Sequence, residues 1–321
     1  MNTAARIRRV GGFLLLQQLV SLLMAAILLS MLSATFVLQW QAFRQHSQLA
    51  WLQQTAVQMQ ALLQRELGNN GFWAGVQQLT SSPATLTVQG DCQSQADSGS
   101  LPRAGQPWLP HLAGTVGGAR TPSCLNNALR QSDFIQLKHL AGQPLSAAGL
   151  KPNRVYLQQV GLRGHFVKSG DGGLDPQQWY WPYNYELYYV AIQPLDGQQI
   201  PVLMRKRLIR NQQGLLVIDT AAVMDGVEML VIEIGLDRDA DGLAEQFLPA
   251  EQIPAATWLQ PWQISQIRYF ALLRTLLPEQ GYRNEQRYQL GQRQYQAPGD
   301  AFRRLLISSS VRVQPASAGG F

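Results

Sequence analysis

The 321-residue chain is most informative where it lacks something. No charged residue occurs between Arg9 and Arg44, no proline precedes Pro83, and no glycine interrupts Phe13 to Leu67. Only two cysteines and four histidines are present, and 14% of residues are charged against 46% hydrophobic. The apolar content excludes wholesale disorder, and a net charge of +6 is too modest for a dedicated nucleic-acid binder. No G-x-S-x-G elbow, H-E-x-x-H, P-loop or C-x-x-C occurs, so the usual nucleophile, zinc and phosphate signatures are missing and no enzyme is expected. His46, His111, His139 and His165 are scattered without metal spacing and read as surface or satisfied polar residues.

The charge-free stretch fills this gap with an apolar run from Phe13 to Leu38, longer than the roughly 20 helical residues that cross a bilayer. Arg6, Arg8 and Arg9 precede it, and only Arg44 follows closely, so the positive-inside rule places Met1 in the cytoplasm and the bulk of the chain outside it. An ordinary secretory signal would be shorter and end in a small-residue site. Without proline or glycine the helix is expected to continue to Leu67, about 80 Å in all at 1.5 Å per residue. Leu52, Ala56, Met59, Leu62 and Leu63 fall on one face, which needs a partner. Gly68, Asn69, Asn70 and Gly71 offer left-handed conformers that stop it.

Past the helix, β-type runs alternate with turn residues: 185–192, 201–208, 229–236, 263–274 and 303–313. They predict a mostly antiparallel sheet that buries the helix stripe against one face, an α+β fold. Thr80 to Pro122, rich in Ser, Gly and Pro, reads as an irregular excursion. Cys92 and Cys124 bracket much of it. Placed outside the cytoplasm they predict a disulfide, two free buried thiols being the alternative. Asp237, Asp239, Asp241 and Gly242 have the D-x-D-x-D-G spacing of an EF-hand-type loop, in which alternate carboxylates converge on a hard cation. Leu243 would add its carbonyl and Glu245 an oxygen, but the twelfth position is Leu248 where a bidentate Glu is usual, so a calcium site here would be weak. The blander reading is a solvent-facing hairpin turn. The stretch from Gln177 to Tyr189, QQWYWPYNYELYY, reads as core packing with an aromatic rim rather than a sugar site. The basic cluster Arg205, Lys206, Arg207 and Arg210 reads as a solvated strand face, and no specific nucleic-acid partner is expected.

Gly11 and Gly12, after a basic leader and directly before Phe13, resemble a class III prepilin signal. That resemblance implies cleavage after Gly12 by a prepilin peptidase, N-methylation of Phe13, and retention of the apolar helix as anchor and then filament core. A plain signal anchor with two incidental glycines is the alternative. Relatives carry Glu at the fifth mature position, where this chain has Gln17; an amide cannot neutralise a neighbouring subunit's terminal ammonium, which implies a place at or near a filament tip.

Further along, 63–75 (LQRELGNNGFWAG), 130–140 (RQSDFIQLKHL), 223–236 (VMDGVEMLVIEIGL) with the following DRDADG, and 271–304 with its Y-x-L-G and D-x-[FY]-R-R elements succeed one another in the order seen in PilW-type minor pilins of type IV pili. The chain lacks the cysteine that many relatives place directly after Ala74-Gly75, which leaves the bridge pattern open. The organisation implied is a leader (1–12), a transmembrane half-helix (13–38), an amphipathic periplasmic half-helix (39–68) and a β-rich minor-pilin domain (69–321). The resemblance implies a single-pass inner-membrane protein that later joins the pilus. Its partners would be other minor pilins, the major pilin, the peptidase, the assembly machinery and the lipid bilayer, with no cofactor required beyond candidate calcium. A type II secretion pseudopilin and a membrane-anchored periplasmic binding module are the competing functions.

Overall fold

The computed structural model describes residues 11–80, 86–195 and 197–314. Residues 1–10 of the leader, with Arg6, Arg8 and Arg9, and Ser81–Thr85 of the excursion lie outside the described residues. Helix α1 runs Gly11–Gly68. Two compact units divide the chain at Trp51: Met1–Trp51, and Leu52–Phe321.

In the first unit every side chain from Leu15 to Trp40 is exposed. An 18-residue window of mean hydropathy 2.3 makes this helix long and apolar enough to cross a membrane. Three of its hydroxyls are satisfied inside the helix: Ser21, Ser30 and Thr35 donate to the carbonyls of Gln18, Ile27 and Leu32 at 2.7 to 2.9 Å. Such back-bonding removes the cost of carrying an unpaired polar group into lipid. Phe36, Trp40 and Phe43 stack with ring centroids 6.5 and 6.1 Å apart, the residue types that concentrate where a helix leaves the hydrocarbon.

The second unit contains the end of α1 and the β domain. The expected stripe is buried at Leu52, Ala56, Met59 and Leu63, and it extends to Thr55, Glu66 and Leu67. Among the four residues expected to stop the helix only Gly71 takes a positive φ, of 86°. A Cβ there would meet the Gln314 carbonyl oxygen at 1.8 Å, so only glycine lets the chain pass. Next to it, Gln314 N–H donates to the Asn70 carbonyl at 3.1 Å, tying the end of the last strand to the end of the helix.

The strands are β1 Gln78–Leu79, β2 Val88–Gln89, β3 His111–Thr115, β4 Asp133–Leu140, β5 Val155–Val160, β6 Arg163–Lys168, β7 Trp179–Leu195, β8 Gln198–Arg210 and β9 Leu216–Asp225. They are followed by β10 Val227–Leu236, β11 Gln246–Pro249, β12 Ile264–Arg274, β13 Arg287–Leu290, β14 Arg293–Gln296 and β15 Arg304–Arg312. Among the described residues β1 to β9 form one sheet, β11-β10-β12-β15 a second, and β13-β14 a hairpin. Pairing is antiparallel except at the two-residue contacts β1/β6 and β2/β9, and the fold is α+β.

The 17-residue β7 organises the large sheet. One edge pairs with β4 over Tyr183 to Tyr188, and the other pairs first with β5, over Trp179 to Pro182, and then with β8, over Glu186 to Leu195. Tyr180, Tyr183, Tyr185, Tyr188 and Tyr189 are buried and Trp179 is 58% exposed, so the aromatic stretch is core with a rim. The excursion from Thr80 to Pro122 is not wholly irregular: β2 and β3 lie within it, because β3 finds an antiparallel partner in β4 that local composition does not announce.

Candidate functional site

The polar residues of the quoted motifs converge on internal joints of the β domain. Ser132 and Asp133, at the start of β4 in the large sheet, grip β10 of the second sheet. Ser132 Oγ accepts from Leu230 N–H at 3.1 Å, and Asp133 Oδ2 accepts from Ile232 N–H at 2.8 Å. Asp133 Oδ1 also takes Arg293 Nη1 at 2.8 Å and the Thr115 hydroxyl at 2.8 Å. Burial raises the Asp133 carboxyl above its ordinary range, and the Arg293 charge pulls it back.

A second joint unites two motifs far apart in the chain. Arg304, its side chain fully buried, ends the D-x-[FY]-R-R element, and its guanidinium forks between Asp300 (2.6 and 2.7 Å) and Glu228, the acid of the G-V-E element, at 2.5 and 2.8 Å. Tyr295 donates to the same Glu228 at 2.9 Å. Preceding it, Arg303 pairs with Glu279. Glu233, farther along β10, closes the Y-x-L-G turn by accepting Gln292 N–H at 2.9 Å. A Cβ on Gly291 would lie 2.1 Å from that carboxylate oxygen, which explains the glycine. These motifs therefore specify how the second sheet, its hairpin and the large sheet lock together.

At the end of α1, Arg65 donates to Glu66 at 2.8 Å. Burial raises the Glu186 carboxyl, the Tyr188 hydroxyl bonded to it at 2.6 Å opposes that, and the charge of Glu66 raises it further. Two histidines correct the sequence reading. His111 and His139 are neither exposed nor satisfied: both are buried, with both ring nitrogens of His111 and Nδ1 of His139 lacking a hydrogen-bond partner among the described residues. Burial lowers each to about 4, with the Lys138 charge adding to the effect on His111.

The basic cluster on β8 is spent internally. Arg205 faces Glu186 at 3.8 Å, Arg207 faces Asp219 at 3.6 Å, Lys206 donates to Thr220 at 2.8 Å, and Arg210 bonds the carbonyls of Pro152, Ser169 and Gly214. An open cleft of about 400 Å³ beside β3 is bordered by Thr115, Arg120 and Glu251, and Arg120 is itself tied to the carbonyls of Ala250, Glu251 and Ile253.

The acidic turn joins β10 to β11. Asp237, Asp239, Asp241 and Glu245 each bring a carboxylate oxygen within 4.8 Å of the others. Backbone amides already occupy several of these oxygens: Ala240 and Gly242 donate to Asp237, Asp241 to Asp239, Leu243 to Asp241, and Arg238 to Glu245, at 2.7 to 3.2 Å. Leu248 pairs with Ile234 inside β11, which is why the twelfth position offers no oxygen to the turn.

Cys92 and Cys124 are joined in a disulfide, with Cα atoms 4.8 Å apart. Inside its loop, Asp97 meets Lys138 of β4 in a buried ion pair, a contact invisible in the spacing of either residue. Gly11 and Gly12 lie in the first turn of α1, and Gln17 sits on its exposed apolar part.

Residues 187–314, from the second half of β7 to just past β15, match the family model for type IV pilus-assembly protein W, PilW. That segment is similar to the PilW family. It includes the Glu228, Asp300 and Arg304 joint, the Glu233 turn and the acidic loop, so these lie in the part of the chain that resembles PilW, a family whose role is type IV pilus assembly. Ser132 and Asp133 lie outside the match but bond Leu230 and Ile232 within it. No curated protein and no solved structure matches the chain.

Proposed function

We propose that this chain is a non-enzymatic minor pilin that primes type IV pilus assembly and sits at or near the pilus tip in a complex of minor pilins. The observation that carries this is the joining of an uncharged, fully exposed apolar helix to a domain that matches PilW. In this reading a prepilin peptidase cuts after Gly12 and Phe13 becomes the methylated amino terminus. The helix holds the protein in the inner membrane with the β domain in the periplasm, until other minor pilins, the major pilin and the assembly machinery draw it into the filament. Gln17 supports the tip position, because a first subunit has no preceding amine to neutralise and a carboxylate there would cost about 2.5–3.5 kcal/mol in lipid. The acidic loop is assigned to calcium, held weakly by Asp237, Asp239, Asp241 and Glu245 with the Leu243 carbonyl, since cation charge would relieve the mutual repulsion of the carboxylates.

The test has two arms. Mass spectrometry of the membrane-extracted protein is expected to find a chain beginning at Phe13, and a chain retaining the leader in cells with the peptidase overturns the prepilin reading. Imaging a labelled subunit in assembled pili is expected to show signal at one end. Signal spread along the shaft removes the tip assignment and leaves the pilus role standing.

A further inference from the structure

Lys138 lies in β4 with its side chain wholly buried, and Nζ stands 2.8 Å from each carboxylate oxygen of Asp97, whose side chain is 1% exposed. We propose that Lys138 and Asp97 condense into an intramolecular isopeptide bond, a second covalent staple beside the disulfide. The ion pair is the precursor of that bond.

Three observations support the reaction. The first is placement: Nζ stands 2.8 Å from each carboxylate oxygen, so the nitrogen is held in contact with the carboxyl group it must attack and needs only to shift from its plane toward its face. Fixed proximity of this kind corresponds to effective concentrations of about 10⁵ M or more in well-oriented cases.

The second is the cradle around the carboxylate. Asp97 Oδ1 accepts Leu109 N–H at 2.7 Å, and Oδ2 accepts Gln136 Nε2 at 2.7 Å and Gly99 N–H at 3.1 Å. Gln136 is oriented in turn by the Tyr185 hydroxyl at 3.1 Å. Each oxygen thus has a donor, so whichever one stays as the amide carbonyl is met by a hydrogen bond as negative charge collects on it when nitrogen adds to the carbon, the arrangement that stabilises a tetrahedral intermediate.

The third is the medium. The Trp108 ring lies 4.6 Å from Nζ, Trp108 packs on Phe166, and Phe166 packs on Tyr183. Burial lowers the Lys138 pKa, with the Asp97 charge acting against it, so the free amine lies closer to reach than in water. An ion pair in such a place bears a desolvation cost on both charges, and an amide abolishes both.

The step balances without an outside reagent. The ammonium passes one proton to the carboxylate across the existing hydrogen bond, and the amine adds to the carboxyl carbon. A second proton moves from nitrogen to the departing hydroxyl, and water leaves. An ammonium and a carboxylate become one amide and one water, with no change of oxidation state. The bond would fasten the loop closed by Cys92 and Cys124 to the central sheet, since Asp97 lies between the two cysteines and Lys138 lies in β4.

The experiment is peptide mapping of the full chain extracted from membranes in detergent, after reduction of the disulfide and digestion with trypsin. Trypsin cannot cut after an amidated lysine. The expected product is therefore peptide 66–103 joined to peptide 131–154, lighter by one water than the two together and uncut at Lys138. The Lys138→Met chain serves as the negative control. Recovery of peptide 131–138 and of unlinked 66–103 from the native chain, with no joined species, overturns the proposal and leaves an ordinary buried ion pair. Because the readout is on the native chain, the result stands whether or not the control folds.

Discussion

The two units of this chain treat charge in opposite ways. Met1–Trp51 has a single described charged residue, Arg44, and exposes leucine, isoleucine, methionine and phenylalanine along its whole apolar run. Leu52–Phe321 contains all twenty acids of the chain, and it buries Asp97, Lys138, Asp133, Glu233 and Arg304 in pairs and networks. In lipid an exposed leucine is at home and a charge is not. In a β domain built from two sheets and a hairpin, a buried charge with partners fixes which strand meets which. One region of the chain is therefore apolar enough to enter lipid, and the other uses polar pairing to choose a topology.

Removing one member of a buried pair tests the second half of this contrast most severely. Asp97→Ala removes the ion pair together with any bond made from it, strands Lys138 without its carboxylate, and is expected to cost at least about 3–5 kcal/mol of β-domain stability, read from denaturant unfolding. A loss below about 1 kcal/mol would show that water reaches the ammonium. Apolar truncations should then separate the units. Leu63→Ala, on the buried stripe, is expected to lose about 2–5 kcal/mol. Leu28→Ala, exposed in its unit, is expected to change β-domain stability by less than about 0.5 kcal/mol. Equal effects would erase the division.

Acid supplies the next comparison. His111 and His139 hold pKa values of about 4 when folded and rise to an ordinary value near 6.5 when unfolded, so the unfolded chain binds more protons between those limits. Their neutral burial stabilises the fold fully above pH 6.5, and that contribution falls as pH drops toward about 4. Asp133 and Glu186, raised by burial, act in the opposite sense as they approach protonation. A net loss of stability is expected over this range, and His139→Gln should flatten the slope of Tm against pH. The smallest effect belongs to the acidic loop. Calcium at ten times its dissociation constant should add about 1.4 kcal/mol, and Asp237→Asn with Asp239→Asn should remove the gain; equal melting temperatures in calcium and chelator return the loop to an ordinary turn.

What could be read from the sequence follows from the range of the forces involved. The helix was legible almost to the residue, Phe13 to Leu67 against Gly11–Gly68, because periodicity, absent proline and terminal glycines are all local. The runs at 229–236 and 263–274 coincide with β10 and β12 for the same reason. β7 extends six residues upstream of the run at 185–192, through Pro182, because β5 offers its first residues a partner that local pattern does not reveal. β3, β5, β6, β13 and β14 are short or polar, and each is a strand because of its neighbour. Of the functional candidates, the disulfide followed from compartment and count. The Lys138–Asp97 pair did not, since a lysine in DFIQLKHL resembles any solvated strand residue until Asp97 is folded over it.

The knot of contacts at Gly71 has a mechanical meaning. A pull along α1 enters the β domain where the Asn70 carbonyl holds Gln314 N–H, two residues beyond the end of β15. Tension from the helix thus reaches the carboxyl-terminal strand directly, without first crossing the large sheet. From there it spreads into the nine registered residue pairs between β15 and β12, which share the load side by side. The end of the helix and the end of the last strand are thus tied to each other directly, while Phe72 and Trp73, next in the chain, carry the remainder of the pull into the aromatic core.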